Sequence, residues 1–87
     1  MRTWERMMTE QEAISTVQAN RGRLGIRSGM KLQGAEKAIV EYSRDRKQAG
    51  PVEDRVAWIV TYVSDMGFAE VRVDNSTGEV LEVLRAL

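Results

Sequence analysis

The chain contains neither cysteine nor histidine. Without cysteine there can be no disulfide, no thiolate nucleophile and no cysteine-ligated metal, a composition that suits a reducing compartment. Without histidine the chain loses the most frequent general base and the most frequent transition-metal ligand. Charge of one sign is lacking too: 13 Lys+Arg against 13 Asp+Glu give a formal net charge of zero. No long-range field therefore draws in nucleic acid or an anionic membrane surface, and any such binding would have to come from a local patch. No stretch approaches the ~20 apolar residues of a membrane span. The opening Met1-Arg-Thr-Trp-Glu-Arg-Met-Met-Thr-Glu carries a charge every few residues where a signal peptide would have an apolar run. The expectation is a cytoplasmic protein with no membrane contact and nucleic acid disfavoured.

What is present suits one small core. Eighty-seven residues are too few for two domains that each bury a useful interior. Net stability at this size is modest, on the order of 5 kcal/mol, and a homodimer or a bound partner would add to it. The expected organisation is a single domain, residues 1–87, with an arm over 1–8, a helix over 9–21, a Gly/Arg-rich connection over 22–34 and an antiparallel sheet over 35–87.

Thr9-Glu-Gln-Glu12 has the form of a capping box, in which the Thr9 hydroxyl takes a first-turn N–H and Glu12 reaches back to the cap. Ala13, Ile14 and Val17 then share one face at helical spacing. Between residues 20 and 34, Gly22, Gly25, Gly29 and Gly34 alternate with Arg21, Arg23, Arg27 and Lys31, which predicts a mobile connection with at most one short strand or turn. Over 35–46, Ala35, Ala38, Ile39 and Tyr42 suit a helix face, whereas Ala38, Val40 and Tyr42 alternate as in a strand. The Ile-Val pair and the tyrosine favour the strand. The charged stretch 44–54, holding Gly50-Pro51, is the expected hairpin loop.

The segment 56–64 is apolar on both sides, with Trp58, Val60 and Tyr62 on one face and Ala57, Ile59 and Val63 on the other, as expected of a central strand. Asp65-Met-Gly67 turns the chain. In 68–74 Ala69, Val71 and Val73 point inward and Glu70, Arg72 and Asp74 outward. Asn75-Ser-Thr-Gly78 is a tight connection with glycine where positive φ is expected, and 79–85 is a last strand with Leu81 and Val83 on one face.

The runs Ala57-Trp58-Ile59-Val60-Thr61-Tyr62, Ala69-Glu70-Val71-Arg72-Val73-Asp74 and Asn75-Ser76-Thr77-Gly78-Glu79-Val80-Leu81 resemble the PepSY domain. Its pattern is a Trp- or Tyr-bearing strand, a strand ending in Val-Asp, and then Thr-Gly-Glu-Val. The helix opening Met8-Thr-Glu-Gln-Glu-Ala-Ile14 suits that family as well, and together these segments cover about half the chain. A similar hairpin occurs in cystatin-like folds and in small bacterial immunity proteins. The resemblance implies an α+β fold, one N-terminal helix packed on a four-stranded antiparallel sheet. It also implies an inhibitory or interaction module, often acting on peptidases, with no catalytic residues of its own.

The residues able to carry chemistry offer little else. Asp74-Asn-Ser-Thr-Gly78 lacks the alternate acidic positions of an EF-hand loop, and Asp74 with Glu79 reads as turn chemistry. Gly22-Arg-Leu-Gly25-Ile-Arg-Ser-Gly29-Met-Lys31 matches neither Walker A nor G-x-G-x-x-G. Arg21, Arg23, Arg27 and Lys31 still form a candidate phosphate or RNA patch. The serines lack a histidine, and no Ser-x-x-Lys is present. No cofactor or metal is expected, and no enzyme. The expected partner is another protein, met by Trp58, Val60, Tyr62, Phe68 and Arg72 if the helix covers the opposite face of the sheet. If the helix covers Trp58 instead, that residue is core. An immunity or antitoxin-type protein blocking one toxin is the alternative, and an RNA or phosphate binder using the Arg-rich connection is another.

Overall fold

The computed structural model describes residues 8–42 and 53–86. The expected arm up to residue 7 and the greater part of the expected loop 44–54 lie outside the described residues. The chain forms helix α1 (Glu10–Ala19), a one-turn helix α2 (Arg21–Leu24) and four strands: β1 (Lys31–Tyr42), β2 (Glu53–Ser64), β3 (Gly67–Asp74) and β4 (Val80–Ala86). The strands pair antiparallel in the order β1-β2-β3-β4. The fold is therefore α+β, helices on one face of a four-stranded antiparallel sheet. No described helix is long and apolar enough to cross a membrane.

Local chemistry accounts for the start of α1. The Thr9 hydroxyl accepts the Glu12 N–H at 3.1 Å, and Glu12 Oε1 accepts the Thr9 N–H at 2.9 Å, so two orphan donors are satisfied reciprocally. Ala13 and Val17 of the apolar stripe are fully buried, and Ile14 packs beside them. At the far end the Asn20 side chain donates to the Thr16 carbonyl at 2.7 Å. The α2 turn stops at Gly25, whose φ of 78° is the left-handed conformation that suits glycine at a helix end.

The expected connection over 22–34 is replaced by more ordered structure. Leu24 and Ile26 are buried, which draws the glycine-rich stretch down onto the sheet. Arg21 donates to the carbonyls of Arg27 at 2.6 Å and Met30 at 3.0 Å, closing 25–30 into a braced loop. Strand β1 starts at Lys31, four residues ahead of the expected Ala35, and an irregularity between Leu32 and Gly34 absorbs the mismatch in register with β2. The strand alternative for 35–42 is the one the structure shows.

The core lies between the helices and one sheet face. Ala13, Val17, Leu24 and Ile26 meet Val60, Tyr62, Ala69, Val71 and Val73. Register explains the layer: Ala35, Val60, Val71 and Val83 lie in one cross-strand row, and each fully buried valine contributes about 1.5–3 kcal/mol. The last strand departs from simple alternation. An extra residue in β4 between the pairs Arg72–Glu82 and Val73–Val80 places Val80 with Val83 against the core in place of the expected Leu81 and Val83. Such a bulge shifts every later side chain by one position.

Candidate functional site

The helices cover the face of β2 that carries Trp58, Val60 and Tyr62. Val60 and Tyr62 are fully buried, so the expected aromatic binding surface is interior. Both faces of β2 are apolar, and the choice fell to the one whose neighbours on β3, Ala69, Val71 and Val73, are apolar too. Trp58 is half-buried at the margin of this layer. Its indole N–H is shared by the Met8 carbonyl and Asn75 Oδ1, both at 3.0 Å, and the Lys37 ammonium sits 5.3 Å from its ring centroid. The Tyr62 hydroxyl is buried without a hydrogen-bond partner among the described residues, while Arg21 stacks 5.1 Å from the ring centroid.

Arg72 lies on the opposite sheet face, where Glu36, Ile59, Arg72 and Glu82 form a cross-strand row. Its Nη1 is 3.6 Å from Glu82 Oε1. The expectation that Trp58, Val60, Tyr62, Phe68 and Arg72 form one surface is thus corrected: they divide between the core and the other side of the sheet.

The four cations of the Arg-rich connection are engaged to different degrees. Arg21 is spent on bracing the loop, and Arg23 donates to Asn20 Oδ1 at 3.0 Å. Lys31 pairs in the ladder opposite Val63. Arg27 alone of the four borders a cavity. That cavity, half-open and about 900 Å³, lies between the 25–30 loop, the β2–β3 hairpin and β4. Its volume falls in the range of ligand pockets. Met30, Met66 and Ala69 supply apolar lining, and Arg27, Arg85 and Asp65 the charges, an excess of one positive. Met66 is 71% exposed, and Phe68, at the rim, 39%.

Arg85 is the residue that sequence reasoning missed. It lies beside Ala69 in the helix-side row and donates to the Leu24 carbonyl at 2.6 Å. This tie holds the guanidinium against Gly25, where any β-carbon would collide with it. A basic residue in the last strand at a core-facing position is the signal that was present. Simple alternation from Leu81 and Val83 puts position 85 on the same face, but it gives no reason for an arginine there. The side chain of Arg27 forms no ion pair or hydrogen bond with any described residue, so its charge is free to meet a ligand.

At the other end of β3 the polar groups are engaged with one another. Asp74, expected to point outward, is buried. Its carboxylate accepts from Arg55 Nη1 at 2.7 Å, the Thr77 hydroxyl at 2.9 Å and the Ser76 N–H at 3.4 Å. Arg55 also binds Glu53 at 2.9 Å. That hydrogen bond is the largest of the effects that raise its pKa above the ordinary value; burial opposes it, and the charges of Glu53 and Asp74 and the hydrogen bond to Asp74 add to the rise. Gly78, at φ 77°, closes this turn. Among the described residues no three acidic side chains gather where they could hold a metal ion.

No family model, curated protein or solved structure matches this chain. The likeness to the PepSY domain therefore rests on the residues that carry it.

Proposed function

We propose that this chain is a non-catalytic protein-binding module that receives an apolar, carboxylate-bearing segment of its partner in the groove between the 25–30 loop and the β2–β3 hairpin. The observation that carries this reading is Arg27, unpaired among the described residues, beside Arg85 in the same cavity as the exposed Met66. Exposed methionine adapts to varied apolar side chains. A guanidinium held at a groove wall favours a carboxylate by charge-assisted hydrogen bonding.

Ser28 and Ser64 border the groove, but no lysine or histidine lines it with them, which leaves either serine without a base. Blocking a peptidase, or a single cognate toxin, would be the finer form of the same reading. In either case the mechanism is occlusion, with no covalent step.

The test is selection of a random peptide display library on the folded protein, followed by calorimetry on the enriched peptides. Enriched sequences should pair a large apolar side chain with an acidic residue or a free C-terminus. Arg27→Glu should weaken them about tenfold or more, and Met66→Ser should weaken them in a salt-independent way. Peptides whose affinity is untouched by both substitutions would remove the groove from the account.

A further inference from the structure

We infer that two copies of this chain join through their β1 strands, antiparallel, about a two-fold axis at Ile39. The observation is independent of the groove. Strand β1 is at an edge of the sheet, and among the described residues no strand pairs with its outer side. An unblocked edge offers a row of backbone donors and acceptors to another strand. Ile39 on this edge is 70% exposed, and its cross-strand neighbour Val56 is 41% exposed. The pair forms an apolar spot at a place the helices do not reach.

The choice of a second copy as occupant rests on charge complementarity. Side chains alternate along β1, so Lys37, Ile39 and Glu41 share one face and Glu36, Ala38, Val40 and Tyr42 the other. A two-fold axis perpendicular to the sheet preserves the faces. The register is then set by the residue through which the axis passes. With the axis at Ile39, isoleucine meets isoleucine, Lys37 of each copy faces Glu41 of the other, Ala38 faces Val40, and Glu36 faces Tyr42. With the axis at Ala38, Lys37 faces Ile39 and Glu41 faces Ala35. With the axis at Val40, Ile39 faces Glu41. Both alternatives set charges against apolar side chains, and opposite charges directly across an antiparallel pair are stabilising.

Glu41 has no ion-pair partner among the described residues, and Lys37 is held at this edge by the Trp58 ring. The joined strands make a continuous eight-stranded sheet from two four-stranded ones. Pairing over residues 36–42 spans about 23 Å at ~3.3 Å per residue. An interface of this size belongs among the smaller ones, with a dissociation constant on the order of micromolar.

The join lies toward the Asp74 end of the sheet, because Ile39 pairs with Val56, whose carbonyl accepts the Asn75 N–H at 2.9 Å. The groove lies at the opposite end and extends to β4, so it stays open in the pair. Two linked copies carry two grooves, and a partner with two matching segments would gain avidity from them.

Sedimentation velocity over a wide concentration range tests the inference, with circular dichroism to confirm that each variant is folded. Wild type should pass from monomer to dimer as concentration rises. Lys37→Glu and Glu41→Lys, each alone, should weaken the dimer at least about tenfold, Ile39→Lys should abolish it, and the double exchange Lys37→Glu with Glu41→Lys should restore it. A wild type that stays monomeric throughout overturns the inference. So does a dimer that Ile39→Lys leaves unchanged, or a double exchange no tighter than either single one.

Discussion

The two ends of strand β3 are built on opposite principles. At its C-terminal end, Asp74 and Asn75 are buried and held by a cluster of bonds: Arg55, Thr77 and Ser76 donate to the carboxylate, and Trp58, Met8 and Val56 bond Asn75. The turn that follows is closed by the Gly78 N–H on the Asp74 carbonyl at 2.9 Å. At its N-terminal end the Asp65-Met66 turn has one side-chain bond of its own, from the Met66 N–H to Ser64 Oγ at 3.2 Å, and Met66 stands in solvent. The same hairpin sheet is stapled at one end and open at the other. A buried polar cluster fixes one conformation because each unmet group would cost about 1–3 kcal/mol. An exposed apolar turn carries no such penalty and is free to serve as a contact surface.

The largest expected effect is at the stapled end. Asp74→Ala removes three accepting interactions at once and should lower the free energy of unfolding by about 2–3 kcal/mol, read from urea denaturation at neutral pH. A loss below about 0.5 kcal/mol would show that the cluster does not fasten this end. Gly25→Ala tests a place where the open end is itself fixed. The positive φ costs a side chain about 1–3 kcal/mol, and the new methyl must push Arg85 off the Leu24 carbonyl. A comparable destabilisation accompanied by a change in peptide affinity is the expected outcome. An unchanged groove would mean that Arg85 is held by something other than this contact. The smallest effect belongs to Met66→Ser, which should leave the free energy of unfolding within about 0.5 kcal/mol of wild type. A larger loss would make the open end part of the core and remove the contrast.

Much of the fold was legible from local signals. The Thr9–Glu12 capping box forms as its spacing required, Ala69, Val71 and Val73 point inward as their alternation required, and Gly78 adopts the positive φ expected of the turn. The candidate site was much less legible. Phe68 and Arg27 were both singled out, but as members of different patches, and the structure brings them to one cavity with Arg85. Asp74 was expected in solvent because alternation assigns a face and not a depth. Its burial depends on Arg55, 19 residues earlier in the chain, and no local pattern contains that distance.

By itself, then, the sequence determined the last three strands in their order and the start of the first helix, since these follow from side-chain period and capping within a few residues, while the pattern over 35–46 suited helix and strand alike. It also determined what the protein has no side chains to do, because the absence of histidine and cysteine holds in any fold. Only the tertiary structure decided which face of β2 the helices cover. Trp58, Val60 and Tyr62 compete there with Ala57, Ile59 and Val63 on nearly equal hydrophobic terms, and the neighbours supplied by β3 break the tie. The bulge in β4 that brings Val80 to the core face in place of Leu81 was decided in the same way, by register between strands, which is a property of pairs of segments and of neither one alone.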